Sequence, residues 1–215
     1  GSPIRGCSIM VLPLEQTMSE QERTAALQTC RAAGLMTSPD GPFERLETAK
    51  PIDWEGRAPA LLKLTSGTTA APRAIRFRGG QLVAAAEQIC DTMGISDADL
   101  NFGVIHLSHS YGFSNLVTPL LVRGVPMALS TDRMPRAVLD DLARTESTVF
   151  PGMPLFYQAF CEMPVTPALP HSRRCISAGE PLPPQVALRF RPNFGQALHA
   201  ASGPARCGGT EGQSV

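Results

Sequence analysis

Leu62-Lys63-Leu64-Thr65-Ser66-Gly67-Thr68-Thr69-Ala70-Ala71-Pro72-Arg73 is the stretch on which the reading of this chain turns. A short apolar run, 60–65, leads into a turn crowded with hydroxyls and closed by a cation. Gly67 lets the backbone approach an anion with no side chain in the way. Ser66, Thr68 and Thr69 offer hydroxyl donors beside Thr65 and the backbone N–H groups, and Arg73 supplies a fixed positive charge. The pattern is that of a phosphate cradle. It is not a Walker loop, because the G-x-x-x-x-G-K-[ST] spacing is missing.

Outward from this loop, apolar runs alternate with stretches of helical spacing. Runs 102–107, 125–129, 148–150 and 174–177 read as strands; 80–93, 115–122, 135–144, 153–160 and 183–191 read as helices. Ser19 with Glu22 forms a capping box that opens a helix to about Ala33, with Gly34 as its stop. Residues 37–57 are rich in Pro, Gly and charge and read as a surface connection. The strand runs are continuously apolar, which predicts an α/β fold: a mainly parallel sheet flanked by helices on both faces. Such a sheet takes its ligand at the carboxyl ends of its strands, so the loops after Leu64, Leu107 and Ser177 are the expected site. Residues 3–201 read as one domain and 202–215 as an atypical tail; Gly1 and Ser2 read as a cleavage remnant.

Bulk composition narrows the function classes. The 215 residues are 43% hydrophobic and carry a formal net charge of zero, which argues against nucleic acid or an acidic membrane as partner. No apolar run approaches twenty residues and no leader is visible, so a cytoplasmic setting is expected. Six scattered cysteines form no C-x-x-C pair and read as small buried hydrophobes in a reducing compartment. No metal site is expected; His106 and His109 are not read as a metal pair, and His106 is placed on its strand as a packing residue. Only two of the 19 basic residues, Lys50 and Lys63, are lysines.

The loop resembles the signature of the adenylate-forming superfamily: acyl- and aryl-CoA synthetases, peptide-synthetase adenylation domains and luciferases. The pattern is an apolar residue, two spacers and [ST]-[ST]-G-[ST]-[ST]-[GS]-x-P-[KR], and Ala70 stands where Gly or Ser is usual. Three further segments fit in order. His109-Ser110-Tyr111-Gly112-Phe113 is similar to the H-x-x-G segment lining the acyl or aryl pocket. Ser177-Ala178-Gly179-Glu180-Pro181-Leu182 resembles the segment packing on adenine, and Val11-Leu12-Pro13-Leu14 an early V-P-L element. The later Y-G-x-[ST]-E element is not matched cleanly. By spacing it falls on Ser202–Arg206, where Arg206 replaces the acid; by letters it falls on Cys207–Glu211.

The resemblance implies a carboxylate–CoA ligase using ATP, magnesium and coenzyme A, with AMP as the nucleotide left behind. It also implies a ribose-binding aspartate, a hinge and a C-terminal domain carrying a catalytic lysine, none of which this chain shows. The expected function is thus a truncated adenylate-forming domain that binds nucleotide phosphates or an acyl group, with full ligase activity lost. Its partner would be a small carboxylate, and surfaces bared by truncation would favour a homo-oligomer. The alternative is an ester hydrolase acting on an acyl ester, with Ser66 as nucleophile, His109 as base and loop amides as the oxyanion hole.

Overall fold

The computed structural model describes residues 10–38, 40–47, 52–55, 57–65 and 73–200. They pack as two compact units, one running to Gln81 and the other starting at Leu82.

In the first unit, α1 (Glu20–Thr29) begins where the capping box places it. Ser19 Oγ accepts from the Glu22 amide at 3.2 Å, and Glu22 Oε2 accepts from the Ser19 amide at 2.9 Å. The helix stops earlier than the spacing predicts, because Arg31 adopts a left-handed conformation (φ 48°). Gly34 is therefore not its stop. It lies in β1 (Gly34–Leu35), which pairs antiparallel with β2 (Glu44–Arg45), inside the stretch read as a connection. Phe43 lies over this glycine: a Cβ there would sit 2.0 Å from the ring, which would have to shift.

β3 (Leu61–Thr65) carries the largest departure from the reading. It does not lead to a helix; it pairs antiparallel with β4 (Arg73–Phe77), with Leu61 opposite Phe77 and Thr65 opposite Arg73. The Thr/Ser/Gly segment falls between these two strands in sequence, and residues 66–72 lie outside the described residues. β4 was missed because Arg73 and Arg76 break up its apolar character, although Ala74 and Phe77 are buried. Cys30, Leu62 and Ala74 form the core of this unit, with Met10, Leu12 and Leu64 packed on it. Val11 lies parallel beside β3, its amide donating to the Ala60 carbonyl at 3.0 Å.

The second unit holds the predicted parallel sheet. After α2 (Gly79–Met93) come β5 (Asn101–Gly103), a helical stretch, β6 (Met127–Leu129), α5 (Pro135–Arg144), β7 (Val149–Gly152), α6 (Pro154–Glu162), β8 (Arg174–Ser177), α7 (Pro184–Phe194) and β9 (Leu198–Ala200). The helical stretch comprises α3 (Ser110–Gly112), a π turn (Phe113–Val117) and α4 (Thr118–Arg123), ending at left-handed Gly124. Five strands pair in the order β6-β5-β7-β8-β9, all parallel.

Alternate strand residues enter opposite cores, which is why the strands read as unbroken apolar runs. Phe102, Phe150 and Cys175 pack with Leu139, Phe156, Tyr157, Phe160 and Phe190 of α5 to α7. Val149 and Ile176 pack on the other face with Cys90, Ile95 and Val125. Four of the six cysteines follow expectation, Cys30, Cys90, Cys161 and Cys175 being buried free thiols; Cys7 and Cys207 lie outside the described residues. β5 is shorter than the run 102–107, its pairing with β6 ending at Gly103 opposite Leu129.

The amino ends of the strands are tied by one carboxylate. Asp99, 3% exposed, accepts from the Ser96 amide at 2.8 Å, from Thr148 Oγ1 at 2.8 Å and from Arg173 Nε at 2.6 Å. Arg173 also donates a second bond to it through Nη2. Burial alone would raise the Asp99 pKa, but the bonds from Arg173, Ser96 and Thr148 outweigh it and hold the carboxyl below its ordinary value. A depressed folded value means that stability is complete above the ordinary aspartate range and is lost as pH falls through the folded value. Asp99→Asn should therefore lower unfolding free energy by about 2–3 kcal/mol at pH 7 in urea titrations. The acid-side loss of stability attributable to this group should vanish in the variant.

Candidate functional site

The second unit gathers two of the expected segments at the carboxyl ends of β5, β7 and β8. Tyr111 donates through its hydroxyl to the Ile176 carbonyl at 3.2 Å. Tyr157, buried under the same strand end, lies 2.7 Å from the Phe150 carbonyl and 3.1 Å from that of Ile176. Burial raises both phenol pKa values, so both stay protonated donors. The H-x-x-G segment is thereby fastened to the residue immediately before Ser177.

Gly112 explains its own place in that segment. A Cβ there would lie 2.2 Å from the His106 carbonyl oxygen, a backbone atom that cannot swing aside. The same carbonyl accepts from the His109 amide at 3.0 Å, closing a turn. His109 then caps α3 in extended conformation, its Nδ1 accepting from the Tyr111 amide at 3.3 Å. A backbone amide can only donate, so the neutral ring carries its proton on Nε2. His109 is exposed.

The π turn follows at once, and its freed carbonyls are met by side chains. Asn115 Nδ2 donates to the Tyr111 carbonyl at 3.0 Å, and Thr118 Oγ1 to the Ser114 carbonyl at 2.8 Å. Pro119 has no N–H to give the Asn115 carbonyl; buried Asn101 supplies one through Nδ2 at 3.3 Å.

At the end of β8, Ser177 is 1% exposed and its Oγ has no partner among the described residues. Ala178 is small and buried, Gly179 has φ +94° with nothing within 4 Å of where a Cβ would stand, and Glu180 is exposed. An orphaned hydroxyl beside open backbone fits a flat polar ring such as adenine. Of the phosphate-loop residues, Thr65 and Arg73 close the β3–β4 hairpin and Arg73 is exposed. Ser66, Gly67, Thr68 and Thr69 lie outside the described residues. No group of His, Cys, Asp or Glu suited to a metal ion occurs among the described residues.

Two side chains of the second unit, His106 and Arg133, were read differently or not at all. His106 is not on the strand; it lies past β5, and its Nδ1 accepts from Arg133 Nη2 at 3.0 Å. Arg133 carried no sequence signal, since it comes from another strand end. Lys63, 5% exposed in β3, has its Nζ 5.0 Å from the centre of the Phe77 ring. Burial lowers its pKa to about 8.

A family profile described as AMP-binding enzyme matches residues 6–210. The chain belongs to that family. It is similar to a benzoate–CoA ligase of Thauera aromatica, 32% identical over 135 residues, covering 61% of this chain and 26% of the relative. It also resembles a 4-hydroxybenzoate–CoA/benzoate–CoA ligase of Rhodopseudomonas palustris, 29% identical over 201 residues, covering 87% and 37%. The chain thus spans about a quarter to two-fifths of these curated relatives.

Among solved structures it matches the O-succinylbenzoate coenzyme A synthetase of Bacillus subtilis in complex with AMP. The TM-score there is 0.66 at 21% identity, over 84% of this chain and 51% of the other. A benzoate CoA ligase from Burkholderia xenovorans matches with a TM-score of 0.61 at 25% identity, over 75% and 32%. No helix among the described residues is long and apolar enough to cross a membrane.

Gly112→Ala should cost about 1–3 kcal/mol of stability. Beyond that, it should move the ring resonances of His106 and His109 in NMR spectra, since the added carbon displaces the carbonyl that shapes their turn.

Proposed function

We propose that this chain forms part of an ATP-dependent ligase for aromatic carboxylates, and that alone it binds nucleotide and acid without completing the ligase reaction. The observation that carries the reading is the Tyr111–Ile176 bond, which holds the H-x-x-G segment against the start of the adenine segment. The benzoate and hydroxybenzoate ligases among its relatives favour an aromatic acid. In this reading Ser177, Ala178, Gly179 and Glu180 receive adenine. Thr65, Ser66, Gly67, Thr68, Thr69 and Arg73 receive phosphate, and His109 offers its Nε2–H to an oxyanion of the bound acid or phosphate.

The carboxylate would displace pyrophosphate from the α-phosphorus of ATP, and the thiol of coenzyme A would then take the acyl group as AMP leaves. The residues of this chain bind and orient these partners. The described residues gather no group of His, Cys, Asp or Glu that would hold magnesium. The reading assigns binding rather than turnover to this stretch, which spans about a quarter to two-fifths of these relatives. The proposal includes self-association through exposed apolar side chains such as Leu121, Leu155 and Leu188.

The described residues lend the ester-hydrolase reading no support, and its nucleophile, Ser66, lies outside them. A base needs a free ring lone pair, and His109 Nδ1 already accepts from an amide while Nε2 holds the proton. Calorimetric titration with AMP and with benzoate should show saturable binding of each, and Tyr111→Phe should weaken both together by about threefold to tenfold, the worth of one hydrogen bond. Pyrophosphate release with ATP and benzoate should stay at background. Absence of nucleotide binding would overturn the ligase reading; robust pyrophosphate release would overturn the claim of incompleteness.

A further inference from the structure

Arg133 is the centre of an arrangement that the reading above does not use. It stands in a loop pinned on both sides. The Ser130 amide donates to the Gly103 carbonyl at 3.0 Å, Ser130 Oγ donates to Asp141 Oδ2 at 2.9 Å, and the Met134 amide donates to Asp132 Oδ1 at 2.8 Å. The guanidinium is exposed and gives one N–H to His106 Nδ1. It has no carboxylate within ion-pair distance among the described residues, whereas Arg123, Arg136, Arg144 and Arg173 each have one. The two nearby acids are engaged elsewhere: Asp132 with the Met134 amide, and Asp141 with Ser130 and Arg144.

His106 is shaped by the same contact. Guanidinium has no acceptor, so the imidazole lone pair on Nδ1 receives the bond and the neutral ring keeps its proton on Nε2. A cation with spare N–H groups and a ring fixed as a donor therefore stand together at the carboxyl end of β5, one tight turn from His109. Donors without acceptors on a rigid frame suit an oxyanion, which a guanidinium binds through two parallel bonds.

We propose that Arg133 and His106 form a receptor for an oxyanion carried by a substrate: a second acidic group on the aromatic acid, or a phosphate of coenzyme A. The anion site stands on this geometry alone; the identity of the carrier rests on the ligase reading. Two arms test them separately.

In the first, the chain is titrated with sodium sulfate at constant ionic strength, and the Arg133 side-chain and His106 ring resonances are followed by NMR. Saturable shifts are expected, absent in Arg133→Gln and retained, weaker, in Arg133→Lys. Shifts that do not saturate in the natural chain, or that persist in Arg133→Gln, overturn the anion site whether or not nucleotide binds.

In the second, affinities for 4-sulfobenzoate against benzoate, and for coenzyme A against its form lacking the 3′-phosphate, are compared in the natural chain and Arg133→Gln. A drop of about tenfold in the preference for 4-sulfobenzoate, the worth of a charge-assisted hydrogen bond, assigns the acid as carrier. The same drop confined to coenzyme A assigns its 3′-phosphate as carrier. No change in either ratio overturns the assignment of a substrate anion to this site, even if sulfate binds.

Discussion

Asp99, Thr148 and Arg173 lie just ahead of β5, β7 and β8, and their hydrogen bonds hold the amino ends of three neighbouring strands together. Short parallel strands of three or four residues have few ladder bonds of their own, so the alignment of the sheet leans on this ionic knot and on the two apolar cores beside it. With one end of the sheet fixed, the other end is free to carry polar turns.

At that opposite edge, the parts most exposed to solvent are held by contacts that are not. Tyr111 and Tyr157 converge on the Ile176 carbonyl, and Gly112 brings backbone onto the His106 carbonyl. The exposed His109 is therefore placed by a glycine and two phenols. Positioning of this kind resists thermal wandering of a donor whose usefulness depends on direction.

How far this was legible in the sequence depends on the range of the signal. Segments whose structure follows from their own residues were read well: the capping box at Ser19 and Glu22, α5 with Pro135 in its first turn, and the strand Arg174–Ser177. The H-x-x-G and Ser177–Glu180 segments were found as motifs, and the structure shows where each of them lies. Features set by distant partners were not legible. β4 looked too polar to be a strand until β3 lay beside it, and β9, with His199 in its middle, offered only three residues. Gly34 was taken for a helix stop because Phe43, which occupies its missing side-chain space, is nine residues away. The contact between Arg133 and His106 joins two strand ends across 27 positions of chain, and no local pattern announces it.

Pro119 and Asn101 illustrate how such distant ties constrain variation. The proline removes an amide from the helical stretch, and a side chain from β5 restores the missing donor to the Asn115 carbonyl. Neither residue touches the groups proposed to bind ligand, yet the pair forms one unit of inheritance. A relative that retains proline at this place needs a donor where Asn101 stands, and one that has lost the proline is released from the requirement. In an alignment the two columns should change together, marking a helix–sheet bond in proteins for which no structure has been determined.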